Sequence, residues 1–380
     1  MLLKVLTVAT LWTIADHGYP FATYYQNVDL ERLIEVHPSA VCVDPYSGPG
    51  GRPWTPEELN RLRRVGIRPV AYMTLGVVPR YHPDLFQRAR DLGLLGPEDP
   101  RWKGDLAVRF WDERWQSELE RWVRRLHQMG FEGVFVDVID VWMRDWYVDW
   151  FRRETGGSRD ELRGLVYRTL VRIADAARAL GMDVYVCAGG AVSDRWFRRL
   201  AGEHRIKVVV ENVIARDDGT LQSEEDFLSA VGELADLSRL TCVYDVEYGL
   251  NLKDEEVRRR LTLLFRLTRV REVYVTTLSH DRLGVAVVPV GGDGGRVSWS
   301  VPGSRSEDGR GRAEGTDNRA FGSGRSGLGG GAGGSALPAP LVPPVGRRGK
   351  LRPAQSVHPR TGRRYNPSSR PACPSPRGGP

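Results

Sequence analysis

The chain has 380 residues, is 41% hydrophobic and carries a formal net charge of +7. That charge is unevenly placed: from Ala286 onward 15 Lys and Arg stand against 5 Asp and Glu, leaving 40 against 43 in the rest. The part with apolar patterning is therefore slightly acidic, which excludes a nucleic-acid footprint on it. No stretch reaches the roughly 18 uninterrupted apolar residues of a spanning helix.

Residues 1–14 are mostly apolar with one Lys, and no clean small-x-small site follows them. They read as an extra strand or barrel-bottom segment in preference to a secretory leader, so cytoplasmic location is expected over secretion. Eight strand-like runs then follow, at 23–27, 40–45, 68–75, 133–138, 183–188, 207–213, 240–246 and 272–278. Helical patterns lie between them. Thr55-Pro56-Glu57-Glu58 is a start signal, with Thr as N-cap, Pro at the first helical position and acids in the first turn. In 112–130, Trp115, Leu119, Trp122, Val123 and Leu126 share one face and Gly130 ends the helix. Segments 160–181, 223–237 and 253–269 behave alike. Eight strands alternating with helices predict an α/β fold, a (β/α)8 TIM barrel over residues 1–285, with a doubly wound sheet as the alternative. Residues 286–380 are Gly/Pro/Arg-rich and low in complexity, as in Gly327-Leu328-Gly329-Gly330. Such a tail buries too little apolar surface to offset its ordering entropy, and a disordered, dispensable spacer is expected.

Chemistry concentrates where apolar runs end in acids. Gly133 to Asp140 and Val208 to Asn212 read as strands buried on both faces, each delivering a carboxylate at its carboxyl end. That edge is where barrels and open α/β sheets build their sites. Asp137 and Glu211 are the expected functional pair, because a charge after so apolar a strand is costly without a purpose. Asp44, Asp140, Asp245 and Glu247 also fall at strand ends, together with Tyr46, Tyr72, Asn212, Tyr25 and Tyr248. Asp44 and Asp140 read equally as helix caps or partners of a neighbouring Arg. Carboxylates, amides and aromatic rings together suit a sugar, whose hydroxyls take hydrogen bonds and whose C–H faces stack on rings. A phosphate-binding barrel would instead show basic groups and Gly-rich turns late in the barrel, and Lys207 begins its strand where a Schiff-base Lys would end one.

Cys42, Cys187 and Cys242 lie in apolar runs without metal-like spacing and read as buried free thiols. The histidines are not paired at ligand spacing, so neither a metal site nor a cofactor is expected. Trp142, Trp146 and Trp150 repeat at i, i+4, i+8 and read as a core-packing helix face or a sugar-stacking platform.

Tyr24-Tyr25-Gln26-Asn27-Val28-Asp29, Val41-Cys42-Val43-Asp44, Ala71-Tyr72-Met73-Thr74-Leu75-Gly76, the stretch from Val108 to Gln116 and the stretch from Gly130 to Asp137 form a known pattern. Together they resemble the endo-α-1,4-polygalactosaminidase-like glycoside hydrolases, a family that includes thermophile proteins once labelled cysteinyl-tRNA-synthetase-related. The resemblance covers roughly residues 24–278. It implies a TIM barrel cleaving α-1,4-linked galactosamine polymers with a strand-four Asp and a strand-six Glu, which fall on Asp137 and Glu211. One departure is Gly76-Val77, where the family often has Gly-Glu.

The expected function is thus endo-acting, retaining hydrolysis of an amino-sugar polysaccharide. Asp137 is the expected nucleophile and Glu211 the acid/base, with Asp44, Tyr46, Tyr72, Asp140, Asn212, Asp245 and Glu247 on the substrate. The competing class is a non-catalytic carbohydrate-binding barrel. The expected partner is a polysaccharide or oligosaccharide, with no nucleic acid and no membrane span, and the expected state is a monomer.

Overall fold

The computed structural model describes residues 12–15 and 18–289. Most of 1–14 and the tail beyond Pro289 lie outside the described residues, and so do the expectations made for them. Among the described residues there are thirteen strands: β1 (Trp12–Ala15), β2 (Ala22–Thr23), β3 (Ala40–Val43), β4 (Arg68–Thr74), β5 (Val77–Pro79), β6 (Leu95–Glu98), β7 (Asp105–Val108), β8 (Gly133–Asp137), β9 (Asp183–Cys187), β10 (Lys207–Glu211), β11 (Val243–Tyr248), β12 (Val273–Thr276) and β13 (Val285–Pro289).

Eight of these are the eight runs read from sequence. They lie side by side in the order β2-β3-β4-β8-β9-β10-β11-β12, every neighbouring pair parallel. Helices connect them, so the chain is a curled (β/α)8-type barrel. The parallel ladder ends at β2 and β12, and other bonds join those ends. Tyr25 and Gln26 N–H donate to the His280 carbonyl at 2.9 and 3.3 Å, and Tyr274 Oη donates to the Thr23 carbonyl at 3.3 Å. Inside, the Phe21 ring meets Phe135, Tyr185 and Tyr244 at 6.2, 4.9 and 5.4 Å. Large aromatic rings from β8, β9 and β11 therefore fill the barrel, which is a packed core and not a pore.

Local signals explain the helices. Thr55 and Glu58 form a capping box at Pro56–Arg64, and Ser158 and Glu161 form another at Arg159–Ala179. Glu113–Met129 buries Trp115, Leu119, Trp122, Val123 and Leu126 and ends at Gly130, whose φ of 113° is left-handed.

Three features depart from expectation. The chain does not cross directly from β4 to the next helix: a three-stranded antiparallel sheet, β5-β7-β6, intervenes. Its strands are short and one reads Leu-Gly-Pro-Glu, too little apolar alternation to register as a strand. Second, β13 pairs antiparallel with β12 and β1, and Trp12 Nε1 donates to Thr262 Oγ1 at 3.0 Å. Strand pairing among the described residues thus extends to Pro289. Third, the Trp repeat is not one helix face. Trp142 lies in a short 3₁₀ turn (Val141–Met143), ahead of the helix Asp145–Thr155 that carries Trp146 and Trp150. Trp142 and Trp150 are buried in the core. Cys42 and Cys187 are buried free thiols, whereas Cys242 is disulfide-bonded, against expectation.

Candidate active site

Asp137 ends β8 and Glu211 ends β10, with β9 between them. Each is held by a tyrosine from a neighbouring strand. Tyr72, on β4, donates to Asp137 Oδ2 at 2.8 Å. Tyr248, on β11, donates to Glu211 Oε1 at 2.7 Å. Asp137 Oδ1 also accepts the N–H of the next residue, Val138, at 2.6 Å. Val138 adopts φ 56°, a left-handed conformation costly for a β-branched residue. The turn that aims this N–H back at the acid is therefore strained, as backbone at functional sites often is.

Burial raises both acids. Protein crowding around Asp137 raises its pKa, opposed by the Val138 and Tyr72 hydrogen bonds and the Arg144 charge. The Glu211 carboxylate is open to solvent, yet protein surrounds it. Desolvation first, and the Asp137 charge second, lift its pKa to about 7. The Asp137 charge thus reaches Glu211 at the same end of the barrel.

A relay stands behind Glu211. His280 Nε2 lies 3.1 Å from Tyr248 Oη, and its Nδ1 lies 2.8 Å from Thr23 Oγ1. Burial holds the imidazole neutral, with its pKa lowered to about 3. All four groups are satisfied when Thr23 donates to Nδ1, Nε2–H donates to Tyr248, and Tyr248 donates to Glu211. His280 also packs on Tyr25, whose ring lies 5.0 Å from Tyr72. Beside Asp137, Arg144 donates to Asp99 at 2.9 Å and to Asp140 at 2.8 and 3.1 Å. Asp105, on the excursion sheet, is raised to about 7 by burial, then Asp99, then Asp137.

The remaining residues expected at the site divide. Tyr72 and Asp140 stand at the Asp137 side. Asn212 adopts φ 62° directly after Glu211 and donates to Asp217. Asp44 is 4% exposed and is consumed by Tyr46 N–H at 2.8 Å and His82 Nε2 at 3.0 Å. The Tyr46 ring stacks on Trp122 at 5.8 Å. Both read as supports of the cleft wall. Asp245 and Glu247 are fully buried and do not meet the expectation that they line the cleft. Alternation along β11 gives the reason: Tyr244 and Tyr248 point inward to Phe21 and Glu211, so Asp245 and Glu247 face the helix layer. His280, Arg144, His82 and Asp105 escaped the sequence reading. Arg144 four residues after Asp140 was the one available signal.

Gly76 packs close to this site. A Cβ there would lie 2.3 Å from Val141 Cγ1 and 3.1 Å from the Val138 carbonyl. Gly76→Ala should therefore cost about 1–3 kcal/mol in urea unfolding. An unchanged midpoint would show that the 138–141 segment yields freely.

No group of three or more His, Cys, Asp and Glu among the described residues is arranged to hold a metal ion, and no described helix is long and apolar enough to cross a membrane.

A curled parallel barrel with acids at the carboxyl ends of two strands places both where barrel enzymes build their sites. Residues 24–195 match the model of glycoside-hydrolase family GH114. The matched segment includes Asp137; Glu211 lies beyond it. An uncharacterized protein of Thermotoga maritima is 24% identical over 271 residues, 70% of this chain and 73% of its own. One from Deinococcus radiodurans is 34% identical over 119 residues, and one from Methanocaldococcus jannaschii 28% over 124. The chain spans only 38% and 36% of the length of these two. In fold, it is similar to the glycoside hydrolase domain of PelA from Pseudomonas aeruginosa, with a TM-score of 0.52 at 18% identity, over 70% of this chain and 97% of that one. It is also similar to Aspergillus fumigatus Ega3, solved in complex with galactosamine, with a TM-score of 0.50 at 12% identity, over 73% and 98%.

Proposed function

We propose that the chain is an endo-acting, retaining glycosidase of an α-1,4-linked galactosamine-type polysaccharide. Asp137 is the nucleophile and Glu211 the general acid/base. The observation that carries this reading is a pair of carboxylates at one barrel end, with burial and the Asp137 charge lifting Glu211 to about 7. An acid half protonated near neutrality can give a proton to the leaving oxygen and later take one from water. Asp137, fixed by Tyr72 and Val138 N–H, keeps one orientation for attack.

The amino-sugar class is supported by the acid excess around the cleft. Asp99, Asp105, Asp137 and Asp140 gather around Arg144, and Glu211 feels the Asp137 charge. Such a field attracts a cationic sugar. Tyr25 and Tyr72 offer ring faces and hydroxyls beside Asp137, and Asp140 and Asn212 offer polar groups. Ega3, similar in fold, was solved in complex with galactosamine, which is such a sugar. The test is oligosaccharide release from partially deacetylated galactosaminan, with NMR of the first-formed anomer. Release of the α-anomer supports the reading. A β-anomer product removes the retaining mechanism, and an inert wild type on every α-linked amino-sugar polymer replaces the enzyme with a carbohydrate-binding barrel.

A further inference from the structure

We infer that Glu247 and Arg260 form a lock on the outer barrel wall that fixes the loop 212–222 and so positions Glu211; this rests on the proposed role of Glu211. Glu247 is a positioning residue and touches no substrate. Its carboxylate, with no exposed surface, accepts Ile214 N–H at 2.5 Å on Oε1 and Ala215 N–H at 3.0 Å on Oε2. Arg260, on the helix Glu255–Leu267, takes the opposite polarity. Its Nη1 donates to the Ile214 carbonyl at 3.3 Å and to the Gln222 carbonyl at 2.8 Å. Gln222 closes the loop by donating from Nε2 to the Asn212 carbonyl at 3.0 Å and from its backbone N–H to the Ile214 carbonyl at 3.0 Å.

The loop begins one residue after Glu211, so only Asn212 and Val213 separate the acid from the locked peptide. Asn212 is left-handed, a conformation that persists only where the surroundings hold it. The carboxylate matters as a double acceptor. It has two acceptor oxygens for two N–H donors, whereas an amide has one and sets an NH2 against the other donor. A buried donor left without a partner is expensive, and the loop's cheapest escape is to lift away. Asp245 lies two residues earlier on the same face. Burial, and then the Glu247 charge, push it well above the ordinary carboxylate range. Burial lifts Glu247 as well, to about 7, and the Ile214 and Ala215 N–H bonds oppose that rise.

The experiment is hydrogen exchange by mass spectrometry on the full chain, comparing wild type with Glu247→Gln and Arg260→Lys, alongside steady-state kinetics on galactosaminan. Expected is a rise of about tenfold or more in exchange across 212–222, with the rest of the barrel unchanged. Turnover should fall about tenfold while KM stays within about twofold, the mark of a misplaced acid rather than a lost sugar contact. Where Glu247→Gln folds poorly, Arg260→Lys carries the test, because it keeps the charge and loses only the fork geometry. Unchanged protection of 212–222 in both variants overturns the lock. So does a uniform rise over the whole barrel, which would make Glu247 a general core residue. A loosened loop with unchanged turnover overturns the positioning role. A loosened loop in an enzyme whose wild type is inert leaves the lock standing and removes the proposed function instead.

Discussion

Asp137→Asn should lower turnover on galactosaminan by on the order of 10³-fold or more while the barrel stays folded. Asparagine keeps the shape of aspartate but is no nucleophile, so no glycosyl-enzyme bond can form. The substitution also disturbs a settled arrangement. Asp137 accepts from Tyr72 Oη and Val138 N–H, and an amide oxygen can meet only one of these from the same position. A modest loss of unfolding stability, about 1–2 kcal/mol, should accompany the loss of activity. A second readout needs no turnover. The Asp137 charge is one cause of the raised Glu211 pKa, so removing it should move Glu211 down from about 7. Titration of the Glu211 carboxyl by carbon NMR checks this. An unmoved titration would mean that the two carboxyls do not share one field, and full activity in Asp137→Asn would end its role as nucleophile.

Glu211→Gln should cost about 10²–10⁴-fold in turnover, the usual range for loss of a positioned acid/base. Its effect should depend on the leaving group. A substrate with an activated leaving group needs no proton in the first step, so it should lose far less than the natural polymer. The pH profile of wild-type kcat/KM follows from the same geometry. Glu211 must hold its proton and Asp137 must be ionised. Activity should therefore fall as pH rises through about 7, where Glu211 gives up its proton. It should fall again on the acid side as Asp137, itself raised above the ordinary carboxylate range, becomes protonated. A narrow bell results. A profile flat from pH 6 to 9 would exclude Glu211 as the acid. If Glu211→Gln keeps full rate, Asp105 becomes the better second acid, being near Asp137 and also raised to about 7. Asp245 and Glu247 do not qualify, because both are buried on the far side of β11.

Residues 133–137 and 207–211 announced themselves in sequence as continuous apolar runs ending in acids, and both proved to be interior strands. Caps such as Thr55-x-x-Glu58 were equally legible. These are local signals: periodicity, capping and a run buried on both faces arise from a few neighbouring residues and survive in any tertiary context. Eight such runs, alternating with helices, were sufficient for the barrel and for the end of it where Asp137 and Glu211 stand. The face on which each acid falls was not legible in β11. In Val243–Tyr248, Asp245 and Glu247 alternate with Tyr244 and Tyr248. A strand buried on both sides carries no polarity contrast to say which set points inward, and curvature and register decided that. The His280–Tyr248–Glu211 relay joins residues up to 69 positions apart through side chains from separate strand ends, and no spacing rule anticipates it. The pKa of Glu211 is likewise a sum over packing and charges brought together by folding. What the sequence by itself determined was the list of strands, helices and strand-end acids. Only the tertiary structure decided which acids share a cleft and which lock a loop from behind, because desolvation and charge–charge interaction act through space and not along the chain.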